Sequence, residues 1–305
     1  MELTDGILRI GEFFTVTLGI VVLFAGKRLN QAVSFLREFS IPEPVTGGLV
    51  FSVLFAIVYA VSGVAVEFML GARDVLLVYF FTTIGINASL KDLLSGGKPL
   101  VILLTITIAY MVIQNLTAVT VAGFFDGPAV AGLLGGTVSL IGGHGTAIAW
   151  APRFAEDLGI VNAMEIGIAC ATFGLILASL MGGPIAKFLI TRHKLTPDKA
   201  QAQDVGVSDE NAAKGIDAHD FLDAILAIHI CAIVGLLLNE GLAELGLKLP
   251  LFVTCLFAGI LITNLIPDNF PRISGTRWPS RTPSIALIAE VALGTFLAMS
   301  LMSMQ

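Results

Sequence analysis

The chain has 305 residues, of which 56% are hydrophobic and 13% charged, with a formal net charge of −6 and a mean hydropathy of +0.90. A soluble domain carries about 25% charged residues. Apolar runs of about 20 residues recur here from end to end, so the composition excludes an ordinary soluble domain and implies a polytopic α-helical protein in a lipid bilayer.

The first span, 7–26, lacks the basic flank of a signal peptide, because Glu2, Asp5 and Glu12 outnumber Arg9, and Leu23 spoils a small-residue cleavage site ending at Ala25. It reads as a retained helix. The second span, 45–66, follows Pro42-Glu43-Pro44, where prolines set a first helical turn. The third, 75–90, carries Thr82, Thr83 and Asn87, and the fourth, 99–124, holds the polar pair Gln114-Asn115 at its middle. A glycine-rich segment, 129–150, leads to a fifth span at 161–190, with Asn162 and Glu165 at its start and Thr172 deeper in. Glu165 suits a helix N-terminus. The polar stretch 192–219 is a soluble linker by composition. Spans at 221–241, 250–266 and 284–303 follow. Cys170, Cys231 and Cys255 lie in apolar spans without CxxC spacing and read as small packing residues. His229, alone on an apolar span, reads as a bonded core histidine, and Trp150 and Trp278 as interfacial anchors.

The segment 129–150 is the least ordinary. Seven glycines lie between Gly127 and Gly145, and each weakens a helix by roughly 1 kcal/mol relative to alanine. Irregular backbone at membrane depth survives only when buried in protein or lining a wet cavity, which is the setting of a transporter's binding site. Ser139, Gly142, Gly143, His144, Gly145 and Thr146 form the expected hairpin tip. Glycines there let backbone N–H and C=O groups approach a ligand, and a broken helix end favours an anion at its free N–H groups. His144 fits a ligand contact or a neutral histidine bonded to hairpin backbone, and no Cys, His or acid stands at ligand spacing nearby, so no transition-metal site is expected. Gln114 and Asn115 fit interhelical bonding or ligand contact, since an unpaired amide in a membrane is costly.

Basic residues orient the map. With the N-terminus outside and 129–150 a hairpin entering and leaving on the outer side, thirteen of the 17 basic residues fall inside, among them Lys27, Arg28, Lys187, Lys199, Lys214, Arg272 and Arg277. Arg9, Arg73, Arg153 and Lys248 remain outside. The first span then runs outside to inside, and the first span after the linker the other way. The halves also look alike: Pro44–Phe51 resembles Pro250–Phe257 with the threonine displaced by two positions, and Phe81–Ser89 resembles Phe296–Met304. Opposite orientation with weak similarity marks an inverted repeat. The organisation expected is a first membrane repeat at 1–190, a cytoplasmic linker at 191–220, and the start of an inverted second repeat, three spans, at 221–305. The second repeat has no counterpart of the fourth span, hairpin and fifth span, so the chain reads as a truncated form of a protein near 400 residues.

Five stretches carry a specific resemblance: Ile41–Gly48 (IPEPVTGG), Phe80–Ala88 (FFTTIGINA), Gln114-Asn115, Leu140–Trp150 (LIGGHGTAIAW) and Ala169–Leu175 (ACATFGL). Over about 7–305 the chain resembles the bacterial sodium/glutamate symporter family. The resemblance implies an inverted-repeat secondary transporter in the bacterial cytoplasmic membrane that moves L-glutamate with sodium as coupling ion, with no other cofactor, no enzyme activity, no nucleic-acid partner and a homodimer as assembly. In that setting the hairpin residues and Asn115 would contact substrate, and the oxygens of Thr82, Thr83, Asn87 and Thr172 would bind sodium, although threonine hydroxyls also bond their own helix backbone. The residues leave a carrier of another small organic anion, a dicarboxylate or hydroxycarboxylate, open. They also leave a non-transporting fragment open. An intramembrane hydrolase using Ser139 and His144 lacks the Gly-x-Ser-Gly or Gly-x-Gly-Asp motif of such enzymes.

Overall fold

A computed structural model describes residues 2–4, 6–38, 41–125, 127–194, 216–247, 249–266 and 278–303. Most of the polar linker, with Lys199 and Lys214, lies outside the described residues, as do Lys248, Arg272 and Arg277.

The protein is polytopic and α-helical, and every expected span finds a helix. In chain order these are α1 (Glu12–Ala32), the short α2 (Ser34–Glu38), α3 (Glu43–Ser62), α4 (Gly71–Asn87), the short α5 (Leu90–Ser95), α6 (Gly97–Phe124), α7 (Gly143–Glu156), α8 (Ala163–His193), α9 (Ala218–Glu244), α10 (Leu251–Leu265) and α11 (Pro283–Met302). Among the described residues, α3, α6, α9 and α11 are long and apolar enough to cross a membrane, since about 20 residues at 1.5 Å each cover a hydrocarbon core of about 30 Å.

The first span differs from its expected bounds. Residues Ile7–Ile10 form strand β2, and the helix starts only at Glu12. Strand β2 pairs antiparallel with β1 (Glu2–Thr4) and parallel with β3 (Ala65–Phe68), which takes the end of the expected second span. Gly6, at φ 79°, supplies the left-handed turn between β1 and β2. An Arg9–Glu67 ion pair at 2.8 Å joins the two parallel strands.

Contacts divide the chain into two units, one of Met1–Arg73, Ile102–Lys199 and Gly294–Gln305, the other of Asp74–Val101 and Ala200–Leu293. In the first, α1 packs on α3. A Cβ on Gly26 would meet the Glu43 carbonyl and the Gly47 amide, and one on Gly47 would meet the Val22 carbonyl, so the backbones touch. Asn30 Nδ2 donates to the Ile41 carbonyl at 2.7 Å, just before the N-cap Pro42, and Thr46 donates to Asn30 Oδ1 at 2.7 Å. The end of α11 lies on this pair, with Met299 against Gly19 and Leu301 against Gly48.

In the second unit α9 packs on α10 in the same way. Gly235 lies against the Cys255 backbone, and Asn239 Nδ2 donates to the Leu249 carbonyl at 2.9 Å, just before the N-cap Pro250. In both pairs the asparagine follows its glycine by four residues and the contacted residue follows its proline by five. The matching register is therefore Pro42 with Pro250, not Pro44 with Pro250. It sets Val45-Thr46 beside Val253-Thr254 and removes the two-residue displacement. Helix α4 packs on α10 through Gly85, which meets the Leu256 carbonyl and Gly259. Ile86, Ala227, Ile228, Cys231 and Ile285 form the core of this unit.

His229 does bond a partner, the Tyr79 hydroxyl, but it stands on an exposed face of α9 and not in the core. Trp278 donates Nε1 to Thr263 Oγ1 at 2.9 Å and packs against the core of the second unit.

Candidate functional site

The glycine-rich segment folds as a broken hairpin within the first unit. Its first arm, Ala129–Val138, starts as 3-10 helix and continues as a π-helical turn. Pro128 starts the arm without a side-chain cap, and Gly136 holds non-helical dihedrals inside it (φ −97°, ψ −135°). The amides of Ile141 and Gly142 both donate to the Thr137 carbonyl, at 3.2 and 3.0 Å. The chain then turns, and α7 begins at Gly143, whose φ of 73° lies in the left-handed region. Leu134 of the first arm packs with Ala151 and Phe154 of α7 and with Ala163 of α8, so the chain doubles back on itself. The first arm departs from regular α-helix where its glycines fall, as their low helix propensity predicts.

Each tip residue has a definite place. Gly142 is the N-cap of α7 and, as a glycine, makes no side-chain cap bond; a helix N-terminus favours negative charge. Thr146 Oγ1 donates to the Gly142 carbonyl at 2.9 Å. The buried His144 joins Thr172 of α8 through Nε2 and Oγ1, 2.9 Å apart. Its bonded partner is thus a side chain of α8 and not the hairpin backbone. Gly145 faces the Phe296 ring, to which a Cβ would come within 3.2 Å. Ser139 is 2% exposed, and its hydroxyl has no hydrogen-bond partner. A Cβ on Gly167 of α8 would press on Ala147 at 3.1 Å and reach ordinary contact with Ser139 Oγ at 3.6 Å.

Asn115 holds the first arm. Its Oδ1 accepts from the Thr137 amide at 2.9 Å and the Thr137 hydroxyl at 3.0 Å. A Cβ on Gly136 would collide with that same oxygen. Gln114 faces elsewhere, into a groove of about 610 Å³ between α6, the first arm and residues Leu140 and Ile166.

The other predicted residues lie in the second unit. Thr82 and Thr83 are both fully buried. Their hydroxyls donate to the Val78 and Phe80 carbonyls, each at 2.7 Å, which leaves oxygen lone pairs available. Asn87 Oδ1 accepts from the Arg281 amide at 2.7 Å. Thr263 and Asn264 donate to the carbonyls of Ile86 and Ala88, at 3.0 and 2.9 Å, and so fasten the end of α4. The structure thus groups His144, Thr172, Ser139, Asn115 and the tip glycines in one unit and Thr82, Thr83 and Asn87 in the other. Thr137 and Phe296 belong to the hairpin's surroundings and were not singled out from sequence. Thr137 carried a signal, a lone hydroxyl beside paired glycines, whereas Phe296 carried none.

A polytopic helical protein with a helix broken by glycines around buried polar side chains has the architecture of a membrane carrier. The family model of the sodium/glutamate symporters ("Glt_symporter: Sodium/glutamate symporter") matches residues 8–305, and the chain belongs to that family. It is 34% identical over 295 residues to a sodium/glutamate symporter of Haemophilus influenzae and 36% identical over 295 residues to those of Escherichia coli K12 and Shigella flexneri. Each alignment covers 95% of this chain and 72% of the relative. No solved structure matches it.

Proposed function

We propose that the protein takes up L-glutamate across the bacterial cytoplasmic membrane, driven by sodium, through alternating access. The observation that carries this reading is the hairpin: a doubled-back, glycine-broken helix whose α7 N-terminus has no side-chain cap and whose polar side chains stand buried beside it. In this reading 129–150 is re-entrant from the outer side. The amides at Gly143, His144 and Gly145 and the hydroxyls of Ser139 and Thr146 bind the substrate. Asn115 acts as a positioning residue, through Thr137. Sodium, a hard cation that prefers oxygen, takes ligands from Thr82, Thr83 and Asn87, and the bound positive charge offsets that of the anionic substrate.

The N-terminus lies outside and the linker 191–220 inside, with a homodimer as assembly. An inverted repeat is supported by the matching asparagine, proline and glycine positions of the α1–α3 and α9–α10 pairs. It is further supported by how the third helices dock, with α4 on α10 at Leu256 and α11 on α3 at Gly48, two residues that correspond in the Pro42–Pro250 register.

The test is uptake of labelled L-glutamate into proteoliposomes with and without an inward sodium gradient. Sodium-dependent accumulation is the expected result. Binding and uptake of hydroxycarboxylates in preference to glutamate would overturn the substrate, and uptake indifferent to sodium would overturn the coupling.

A further inference from the structure

Gln114 and Asn115 are adjacent amides in the middle of α6, yet they stand in opposite states. Asn115 Oδ1 accepts two hydrogen bonds from Thr137. Gln114 Oε1 is buried and accepts none. Among the described residues the buried side-chain oxygens or nitrogens left without a partner are Gln114 Oε1, Ser139 Oγ and Glu165 Oε2. All three are oxygens, and they belong to α6, the hairpin and α8. A buried amide oxygen without a donor costs about 1–3 kcal/mol, so an arriving donor would be bound there at little further desolvation cost.

The groove it lines shows what kind of partner fits. Its volume is about 610 Å³, and Gly135 contributes to the room, since a Cβ there would meet only Cys170 Sγ, at 3.6 Å. Tyr110, Gln114 and Thr117 form a polar stripe at helical spacing along one wall, facing the apolar Leu140 and Ile166. Thr117 donates its own hydrogen to the Ile113 carbonyl at 2.8 Å, so Gln114 and Thr117 offer the groove acceptors. The unpartnered Gln114 Oε1 and the Thr117 oxygen suit a donating cationic group. A bare metal ion needs a cage of about six oxygens, which an otherwise carbon-lined wall does not provide. A primary ammonium on a short aliphatic chain needs less and matches this surface. Leu140, on the opposite wall, is two residues from Gly142, so the groove reaches within roughly 7 Å of the hairpin tip along the chain.

We propose that Gln114 is a specificity residue: its amide oxygen accepts a hydrogen bond from the amino group of the transported amino acid and so separates amino acids from amino-free dicarboxylates. This rests on the reading of the protein as a glutamate carrier. The chemistry assigned is a charge-assisted hydrogen bond, a type stronger than a neutral one.

The experiment uses the whole chain in proteoliposomes. It measures half-saturation for L-glutamate and inhibition by glutarate, which keeps both carboxylates and lacks the amino group. Gln114→Leu is expected to raise the glutamate half-saturation about 30-fold and to leave glutarate inhibition within about twofold. Gln114→Glu keeps an acceptor for the ammonium and adds a charge against a dicarboxylate, so glutamate affinity holds while glutarate inhibition weakens about 10-fold. If Gln114→Leu does not fold, Gln114→Glu decides alone. Parallel shifts of both ligands in either variant, or an unchanged glutamate half-saturation in Gln114→Leu, would overturn the assignment and make Gln114 a packing partner of another helix. Absence of sodium-driven glutamate uptake by the unaltered protein is a separate failure, that of the underlying function, and is read before any variant.

Discussion

Replacing Asn115 by alanine tests whether the hairpin is held from α6. The substitution removes the acceptor of two bonds, from the Thr137 amide at 2.9 Å and its hydroxyl at 3.0 Å. The hydroxyl can turn to another acceptor, so its loss is worth about 1 kcal/mol. The amide is fixed in the backbone, and orphaning it costs about 1–3 kcal/mol. Together the first arm should lose about 2–4 kcal/mol of local stability, with the rest of the helix bundle unaffected. Hydrogen exchange reads this directly, because each 1.4 kcal/mol of lost protection speeds exchange tenfold. The amides of the first arm should therefore exchange about 30- to 1,000-fold faster, while those of the α9–α10 pair, in the other unit, keep their rates. A cycle with Thr137→Val isolates the hydroxyl bond, and coupling of about 0.5–1.5 kcal/mol is expected. Unchanged exchange in the first arm, or strict additivity in the cycle, would refute the idea that Asn115 fastens the hairpin.

Gly26→Ala and Gly235→Ala should each lower the thermal stability of the purified protein by at least about 1–3 kcal/mol, since a Cβ at either site meets backbone; Gly123→Ala, where nothing lies within 4 Å, should be neutral or stabilising by up to about 1 kcal/mol. Equal melting temperatures for all three would contradict close packing of the helix pairs. Thr82→Val keeps the shape of a buried residue and removes its oxygen, and it should raise the sodium concentration for half-maximal uptake about 10-fold at unchanged glutamate affinity. A change in melting temperature alone would assign the hydroxyl to its bond with Val78. His144→Ala and Thr172→Val break the same 2.9 Å contact, so the double variant should lose no more uptake than the worse single one. Independent, multiplying losses would mean that the two side chains act separately.

The spans were legible because a hydrocarbon core imposes length and polarity on each helix without reference to its neighbours. The start of α1 was not, because Ile7–Ile10 is as apolar as a span. Only its pairing with Ala65–Phe68, more than fifty residues away, makes it a strand. The break in the helix near Gly136 was legible for a related reason: seven glycines between Gly127 and Gly145 lower helix propensity locally. The hairpin's anchoring was not, since it depends on which side of α6 meets the arm.

Gln114 and Asn115 show the limit most plainly. In sequence they are neighbours of nearly equal chemistry, and either suits a site. A helix turns about 100° between them, and that rotation alone sends one amide to Thr137 and the other into the groove. The same rotation separates support from recognition, because an amide whose oxygen is already satisfied has less to offer a ligand than one buried without a partner. The register of the two helix pairs follows the same logic. Letter matching placed Pro44 beside Pro250 at the expense of the threonines, while the hydrogen bonds of Asn30 and Asn239 select Pro42 and bring Thr46 and Thr254 into line. In a chain so uniformly apolar, the few polar side chains carry most of the positional information, and what each of them bonds is the part that sequence leaves unwritten.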